Sequence, residues 1–301
     1  MIHKTVQVAL LLVLILYIFY GFDIKNINPE KFSIFGLLIS ICIIFFSQIM
    51  LAIRWMKMSS LSFIISFETI IVSSALNMIL PAKMGELSKA IYLRKFYKFN
   101  YHKSISIIFV ERFFDIIVLF LLLILWSYSY VANEIIKNTI LMLSLLIPLT
   151  VFFFSMNNSR YLIKKIPLQF FRVYLQKIFL IVNKLFKSPI SLSWYTLLLW
   201  LTYFTTTALF YTLAVEFKLS MHELLGLFIF STIALAVPLA PAGLGTYEGA
   251  VVLYLSQYGI SKEDALLAAS LYHLLLFIVD FVLLYLFLLI KKITFKELIQ
   301  S

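Results

Sequence analysis

Three charged residues occupy adjacent turns of a segment that is otherwise apolar. Glu111, Arg112 and Asp115 lie in the run from Ser104 to Val131, and their spacing places all three on one side of a helix. A charge at the centre of a membrane helix costs on the order of 2.5 to 3.5 kcal/mol, so each needs a partner or a function. Two interpretations remain open: an ion pair that neutralises itself, or an Arg112 that binds phosphate through paired hydrogen bonds.

Two breaks rich in proline and glycine interrupt other apolar segments. Pro-Ala-Lys-Met-Gly occupies 81–85, after the segment 61–80, and Pro-Ala-Gly-Leu-Gly occupies 241–245, within the segment 223–258. Backbone opened at such breaks cannot face lipid, so it must be buried in protein or line a wet cavity. A helix that starts there presents unpaired N–H groups and a positive dipole end, which favours anion binding.

Several further polar residues lie near these breaks or in the last apolar segment. Glu86 and Glu248 fall in the first turns after the breaks, where they either cap the helix or exchange protons and contact an amino headgroup. His273 and Asp280 either join helices by hydrogen bonds or take part in the site. The candidate headgroup-binding residues are Asn77, Lys83, Gly85, Glu86, Glu111, Arg112, Asp115, Gly243, Gly245 and Glu248, with His273 and Asp280 as additional candidates.

Composition assigns the chain to the membrane. Of its 301 residues, 63% are hydrophobic and 13% charged, whereas about a quarter of the residues of a soluble domain are charged. At roughly 20 residues per span, about six to eight crossings fit, which leaves no room for an aqueous catalytic domain. Cys42 is the single cysteine, and the four histidines lack metal-ligand spacing. We therefore expect no metal, no cofactor and no catalytic residues.

The basic residues predict the orientation. They concentrate in two connections, around 83–103 and 157–189, which the positive-inside rule places in the cytoplasm. This orientation requires both broken segments to form re-entrant hairpins, and it puts both termini in the cytoplasm. The net charge of +11 follows from this arrangement and does not imply nucleic acid. Full crossings are predicted at about 5–22, 32–53, 104–131, 138–156, 190–215 and 265–290.

The two breaks also predict an internal repeat. Their Pro-Ala-x-apolar-Gly motifs recur at an offset of 160 residues, each within a hairpin that follows two spans. Three crossings per half make the halves inverted, a pattern typical of transporters with a substrate site near the midplane. We predict an all-α polytopic membrane protein with about six full transmembrane helices plus two re-entrant broken-helix hairpins in an inverted repeat. It forms a single domain, 1–301, with halves at about 1–131 and 138–290.

The ordered motifs resemble a known family. Asn-Met-Ile-Leu-Pro-Ala-Lys-Met-Gly-Glu at 77–86, Glu-Arg-Phe-Phe-Asp at 111–115 and Pro-Ala-Gly-Leu-Gly-Thr-Tyr-Glu at 241–248 are similar to the membrane region of lysylphosphatidylglycerol synthases, the flippase-like domain. The similarity spans nearly the whole chain. It departs from the family at His273, where relatives often have arginine, and in lacking the aminoacyl-transfer domain. The resemblance carries functional roles over to Asn77, Pro81, Gly85, Glu86, Glu111, Arg112, Asp115, Pro241, Gly243, Gly245 and Glu248.

The resemblance implies movement of an aminoacylated phospholipid between leaflets in the full-length synthases, and some stand-alone members are associated with glycosylation or isoprenoid-linked glycans. We therefore expect a lipid translocase of the cell membrane that moves a phosphate-bearing headgroup through a polar midplane cavity. Its partners would be membrane lipids and a lipid-modifying enzyme or glycosyltransferase. Two alternatives stay open: a transferase on a polyprenyl-phosphate carrier, with Glu86 or Glu248 as base, and an accessory scaffold for a glycosyltransferase.

Overall fold

The computed structural model of the protein describes residues 32–80, 83–130, 138, 189–236 and 240–299. All regular secondary structure in these residues is helical, with no β-strand among them, which confirms the prediction of an all-α protein. The predicted span at 5–22, the span at 138–156 beyond its first residue, and the basic connection up to residue 188 lie outside the described residues.

Nine α-helices make up the described chain, and we number them in order. The first four are α1 (Ile34–Ser59), α2 (Phe63–Ile79), α3 (Gly85–Tyr97) and α4 (Tyr101–Tyr130). They are followed by α5 (Pro189–Leu209), which continues as a π-helical turn at Phe210–Ala214, and by α6 (Met221–Ala236). The last three are α7 (Thr246–Leu255), α8 (Lys262–Lys291) and α9 (Phe295–Ile299).

Three helices of the described residues are long and apolar enough to cross a membrane: Ile34–Ser59, Trp194–Ala214 and Lys262–Lys291. At 1.5 Å per residue the 30 residues of α8 extend about 45 Å. One face of α8 is apolar and exposed along much of its length, with Leu274, Ile278, Val282 and Leu286 four residues apart. Such a face suits contact with lipid tails and not with water.

Capping side chains fix where the helices begin. The Ser261 side chain accepts a hydrogen bond from the Asp264 backbone N–H at 3.1 Å and so starts α8. At the start of α6, Glu223 accepts from the Ser220 N–H at 2.7 Å while the Ser220 hydroxyl accepts from the Glu223 N–H at 3.3 Å. This reciprocal pair is a capping box that satisfies two otherwise unpaired donors.

The helices are interrupted at both Pro-Ala motifs, as predicted. Between α2 and α3, Lys83 adopts a left-handed backbone conformation with φ of 54°, and Gly243, at the matching motif position between α6 and α7, has φ of 78°. Gly85 has no room for a side chain, because a Cβ there would lie 2.6 Å from the Ser73 carbonyl oxygen and closer still to the Asn77 backbone nitrogen. The re-entrant course of these segments in a membrane remains a prediction.

Helix lengths recur in the same order on either side of the region that is not described. The series is 26, 17, 13 and 30 residues for α1 to α4. It is 21, 16, 10 and 30 residues for α5 to α8. In each series the short third helix follows a Pro-Ala motif. An internal repeat would produce this order of helix lengths. The inverted orientation of the two halves stays a prediction.

Two element boundaries differ from the prediction. α1 continues six residues past the predicted end at Ile53 and ends at Ser59. The connection expected at 83–103 is mostly the helix α3, which is short and contains both polar and apolar residues. Each difference involves a basic residue, Arg54 in α1 and Lys89 in α3, whose side chain is buried in an ion pair.

The described residues fall into two compact units. Unit 1 comprises 32–49, 71–80, 83–88, 201–236 and 240–299, and unit 2 comprises 50–70, 89–130, 138 and 189–200. The interior of unit 1 is aromatic, with Phe210, Tyr211 and Tyr247 fully buried. The interior of unit 2 contains Trp55 and two buried cations, Arg54 and Lys89.

Candidate functional site

One guanidinium in unit 2 bridges the two carboxylates that the sequence singled out. Arg54 of α1 donates through Nη2 to Glu111 Oε1 at 2.7 Å and through Nη1 to Asp115 Oδ1 at 2.6 Å. Glu111 and Asp115 are one helical turn apart on α4, so a single planar fork reaches both. Arg54 is 1% exposed and Glu111 is 0% exposed. The pair is therefore a buried, hydrogen-bonded ion pair and not a surface contact.

A second cation completes the partners of Glu111. Lys89 of α3 donates from Nζ to Glu111 Oε2 at 2.7 Å, and its ammonium lies 4.8 Å from the centre of the Trp55 ring. Each oxygen of Glu111 thus accepts from a different cation. The aromatic face adds a cation–π contact, which stabilises a buried ammonium.

Arg112 occupies the edge of this cluster. Its Nη2 lies 3.1 Å from Asp115 Oδ2 and 3.7 Å from Glu111 Oε2, longer contacts than those of Arg54. The Arg112 side chain is 36% exposed. Trp200 of α5 donates its indole N–H to Asp115 Oδ1 at 3.0 Å. Arg112 is accordingly the cation of the cluster that an outside anion can reach.

Three cations and two carboxylates meet in this ion cluster. The cations are Arg54, Lys89 and Arg112, and the carboxylates are Glu111 and Asp115. Arg112 is the most exposed of the three cations, so an anion from outside reaches the cluster at this side chain. Guanidinium fits phosphate oxygens with paired hydrogen bonds. The arrangement is therefore chemically suited to a phosphate group.

Sequence reasoning missed Arg54 and Lys89. Lys89 fell within the connection around 83–103 that was assigned to the cytoplasm, and Arg54 was not among the candidate residues, whereas both are buried in ion pairs. The ion pair within 111–115 is present, with Arg112 3.1 Å from Asp115, but the shortest contacts of the two carboxylates come from Arg54 of α1 and Lys89 of α3. One signal pointed to them: two carboxylates beside a single arginine leave a deficit of positive charge that only basic residues from other helices can fill.

The residues around the first break pair with one another in unit 1. Asn77 of α2 donates from Nδ2 to Glu86 Oε1 at 3.4 Å, across the break, and Ser88 Oγ donates to the Gly85 carbonyl. Glu86 lies in the first turn of α3, where a carboxylate stabilises the helix end. Lys83 is exposed and holds the left-handed backbone conformation of the break.

At the second break Glu248 acts as a helix cap. Its Oε2 accepts from the Gly245 backbone N–H at 2.7 Å, and its Oε1 is 2.7 Å from His273 Nδ1. The Thr246 hydroxyl donates to the Gly243 carbonyl at 2.8 Å, which closes the same turn. Both carboxylate oxygens of Glu248 are engaged, so the capping interpretation describes this residue well. His273 supplies the partner from α8.

A buried tyrosine cluster packs beside this pair. The Tyr247 ring packs against the rings of Tyr272 and His273, with centroids 6.0 Å and 5.3 Å away. Its hydroxyl is 3.2 Å from that of Tyr211, and Tyr272 meets the Thr207 hydroxyl at 3.4 Å. These contacts hold the start of α7 against α5 and α8. Sequence analysis did not single out these tyrosines.

Asp280 has a separate hydrogen-bond partner in unit 1. Gln48 of α1 donates from Nε2 to Asp280 Oδ1 at 2.7 Å, and Ser74 of α2 donates to Gln48 Oε1 at 3.1 Å. The interpretation of Asp280 as a link between helices therefore describes its contact with α1. Among the described residues no group of three or more His, Cys, Asp and Glu side chains is arranged to hold a metal ion.

The candidate residues thus form separate groups. Glu111, Arg112 and Asp115 share the ion cluster of unit 2, together with Arg54 and Lys89. Within unit 1, the candidates at the first break, those at the second break with His273, and Asp280 each have their own partners. The helical fold, the exposed apolar face of α8 and the buried charges define an integral membrane protein.

The comparison with known proteins gives the family. The profile of the family described as "Lysylphosphatidylglycerol synthase TM region" matches residues 5–283, and the chain belongs to this family. A UPF0104 membrane protein from Methanocaldococcus jannaschii is 25% identical over 208 residues, which cover 66% of this chain and 87% of that protein. No solved structure matches the chain.

Proposed function

We propose that this protein is a lipid translocase that binds the phosphate of a lipid headgroup at Arg112 and moves the lipid between leaflets. The observation that carries the proposal is the ion cluster with three cations, two carboxylates and one partly exposed guanidinium. Phosphate oxygens accept paired hydrogen bonds from a guanidinium that is accessible in this way. Family membership and the exposed apolar helix face support lipid as the source of that phosphate.

The three cations have different roles in this proposal. Arg54 and Lys89 are buried and make the shortest contacts with the carboxylates, so they hold α1, α3 and α4 together. Arg112 makes longer contacts and has the exposed surface that a headgroup needs. Replacing its contact with Asp115 by a contact with phosphate costs little, because a partly exposed ion pair contributes at most about 1 kcal/mol.

The test is leaflet exchange of fluorescent phospholipids in proteoliposomes, with the outer leaflet quenched chemically. Anionic phosphatidylglycerol and its aminoacylated form would be compared with a neutral diacylglycerol that lacks phosphate. We expect exchange of the phosphate-bearing lipids and a loss of at least about tenfold in Arg112→Ala, because a hydrogen bond to a charged group contributes about 1.5 to 3 kcal/mol.

Arg94→Ala is the matched control. Arg94 lies on α3 in the same unit and is exposed, so its removal also deletes one guanidinium without touching the ion cluster. Exchange should persist in this variant. Equal losses of exchange in both variants would mean that the loss depends only on net charge and not on Arg112 itself. Folded wild-type protein that exchanges no phospholipid would contradict the proposal and would favour a polyprenyl-phosphate carrier or the scaffold role.

A further inference from the structure

A buried acid in unit 1 is held by a single amide. Asp280 of α8 is 4% exposed and lies 11 residues before the helix end at Lys291, about 16 Å along the axis. Its one hydrogen-bond partner among the described residues is the side-chain amide of Gln48, at 2.7 Å. The amide is oriented by Ser74, whose hydroxyl is half-buried and donates to the other end of Gln48.

Other buried carboxylates of the described chain have stronger partners. Glu111 accepts from two cations, and Glu248 accepts from a backbone N–H and pairs with a histidine. Glu68 accepts from two tyrosine hydroxyls, and Glu263 lies in the first turn of α8, at the positive end of its dipole. Asp280 has no partner of these kinds, since no Lys, Arg or His in the described part of the chain pairs with it.

This difference determines which form of the acid the helices can hold. An ionised carboxylate inside a membrane protein needs a cation or several hydrogen bonds to offset its lost hydration. One neutral amide offsets only a part of that loss. The neutral acid is compatible with the site as it stands. The ionised form requires that water or a cation reach the carboxyl group, which means that Gln48 or the helices around it must move.

We propose that Asp280 is a proton-binding site, loaded in the arrangement described here and emptied when the contact with Gln48 opens, and that this proton drives lipid exchange. The coupling rests on the proposed translocase function. In each cycle the Asp280 carboxylate takes up one proton from water on one side and returns it to water on the other. A phosphate-bearing lipid with one negative charge and one proton together move no net charge.

The neighbouring groups are compatible with this role. Gln48 of α1 contacts Asp280 directly and Ser74 of α2 contacts Gln48, and neither side chain titrates. The nearest titratable group on the same helix face is His273, two turns earlier and already paired with Glu248. Ser74 is half-buried and is the most exposed of the three hydrogen-bonded residues, so an approach of water to Asp280 is expected from its side.

Infrared spectroscopy of the full-length protein in lipid tests the proton site without any transport. The C=O stretch of a protonated carboxyl group, above the amide I band, should be present at neutral pH in the wild type. It should be lost in Asp280→Asn, which keeps an acceptor for Gln48 and so preserves packing. Glu248→Gln serves as the control for a buried carboxylate with a partner, and the band should survive there. A wild-type band that is absent, or unchanged in Asp280→Asn, overturns the proton site.

Leaflet distribution tests the coupling. With the membrane potential clamped at zero, a gradient of about one pH unit should bias labelled phosphatidylglycerol between leaflets by up to roughly tenfold, and should reverse with the gradient. Asp280→Asn should abolish the bias, and Asp280→Glu should restore part of it. Wild-type exchange that ignores the gradient overturns the coupling. If the wild type exchanges no lipid at all, the proposed function fails, and the proton site stands or falls with the infrared band alone.

Discussion

Arg54 and Arg112 contact the same two carboxylates, yet their substitutions are expected to separate stability from function. Arg54→Met removes the buried guanidinium that bridges Glu111 and Asp115 and leaves both carboxylates with fewer partners. Breaking a buried ion pair from one side costs about 3 to 5 kcal/mol. Arg112→Ala removes a side chain that is 36% exposed and makes longer contacts, so its cost should stay within about 1 kcal/mol.

The transport effect should follow the opposite order. Losing a charge-assisted contact with phosphate removes about 1.5 to 3 kcal/mol, which lowers headgroup affinity roughly 10- to 150-fold. Stability would be measured by unfolding the purified protein in mixed micelles with a denaturing detergent. Exchange would be measured at lipid concentrations below saturation. Arg112→Ala should unfold near the wild-type midpoint and exchange poorly, whereas Arg54→Met should unfold early.

A double substitution checks that the stability loss arises from the ion pair. Arg54→Met combined with Glu111→Gln removes both partners, so the combined loss should be smaller than the sum of the single losses by about 0.5 to 3 kcal/mol. Purely additive losses would mean that the contact carries no coupling. Equal destabilisation by Arg112→Ala and Arg54→Met would refute the division of roles, because Arg112 would then be structural.

Two further predictions concern the helix breaks. Gly85→Ala should lower the free energy of unfolding by about 1 to 3 kcal/mol, because its Cβ would collide with the backbone of α2 at Ser73. As a control, Leu87→Ala at an exposed neighbouring position should change the free energy of unfolding by no more than about 0.5 kcal/mol. Equal effects of the two substitutions would contradict the steric argument. Glu248→Gln and His273→Phe should be coupled by about 0.5 to 3 kcal/mol in a double-mutant cycle of unfolding, since the two side chains meet at 2.7 Å; zero coupling would show that the contact contributes nothing to stability.

The sequence predicted the helices better than it predicted their ends, and α1 shows why. Apolar composition located this helix to within two residues at its start, but the predicted span ended at Ile53, directly before Arg54, whereas the helix continues to Ser59. A charged residue is costly in the membrane core, so a predicted membrane segment is normally ended before such a residue. Arg54 has two partners on α4, which are 57 and 61 residues away in the chain. Contacts over such separations cannot be read from local composition.

The same reasoning separates the parts of the site that were predictable from those that were not. Glu111 and Asp115 were found because their burial is costly wherever the partner lies. The positions of the breaks were found because proline and glycine act locally on the backbone. Glu248 left two roles open in the sequence. Its contact with the Gly245 N–H favours the cap, and its second oxygen contacts His273, 25 residues later. Local physics therefore identified the residues, and tertiary contacts assigned their partners.

Lys89 shows what this means for the predicted orientation in the membrane. The positive-inside rule concerns charges that remain outside the bilayer core. Lys89 is 2% exposed and paired with Glu111, so it cannot count as a loop charge. The first basic connection then keeps five basic residues instead of six, and four of them, Lys83, Arg94, Lys95 and Lys98, are exposed. The predicted cytoplasmic placement of that connection therefore depends on exposed charges alone, and neutralising these four together, without touching Lys89, is the change that should weaken it.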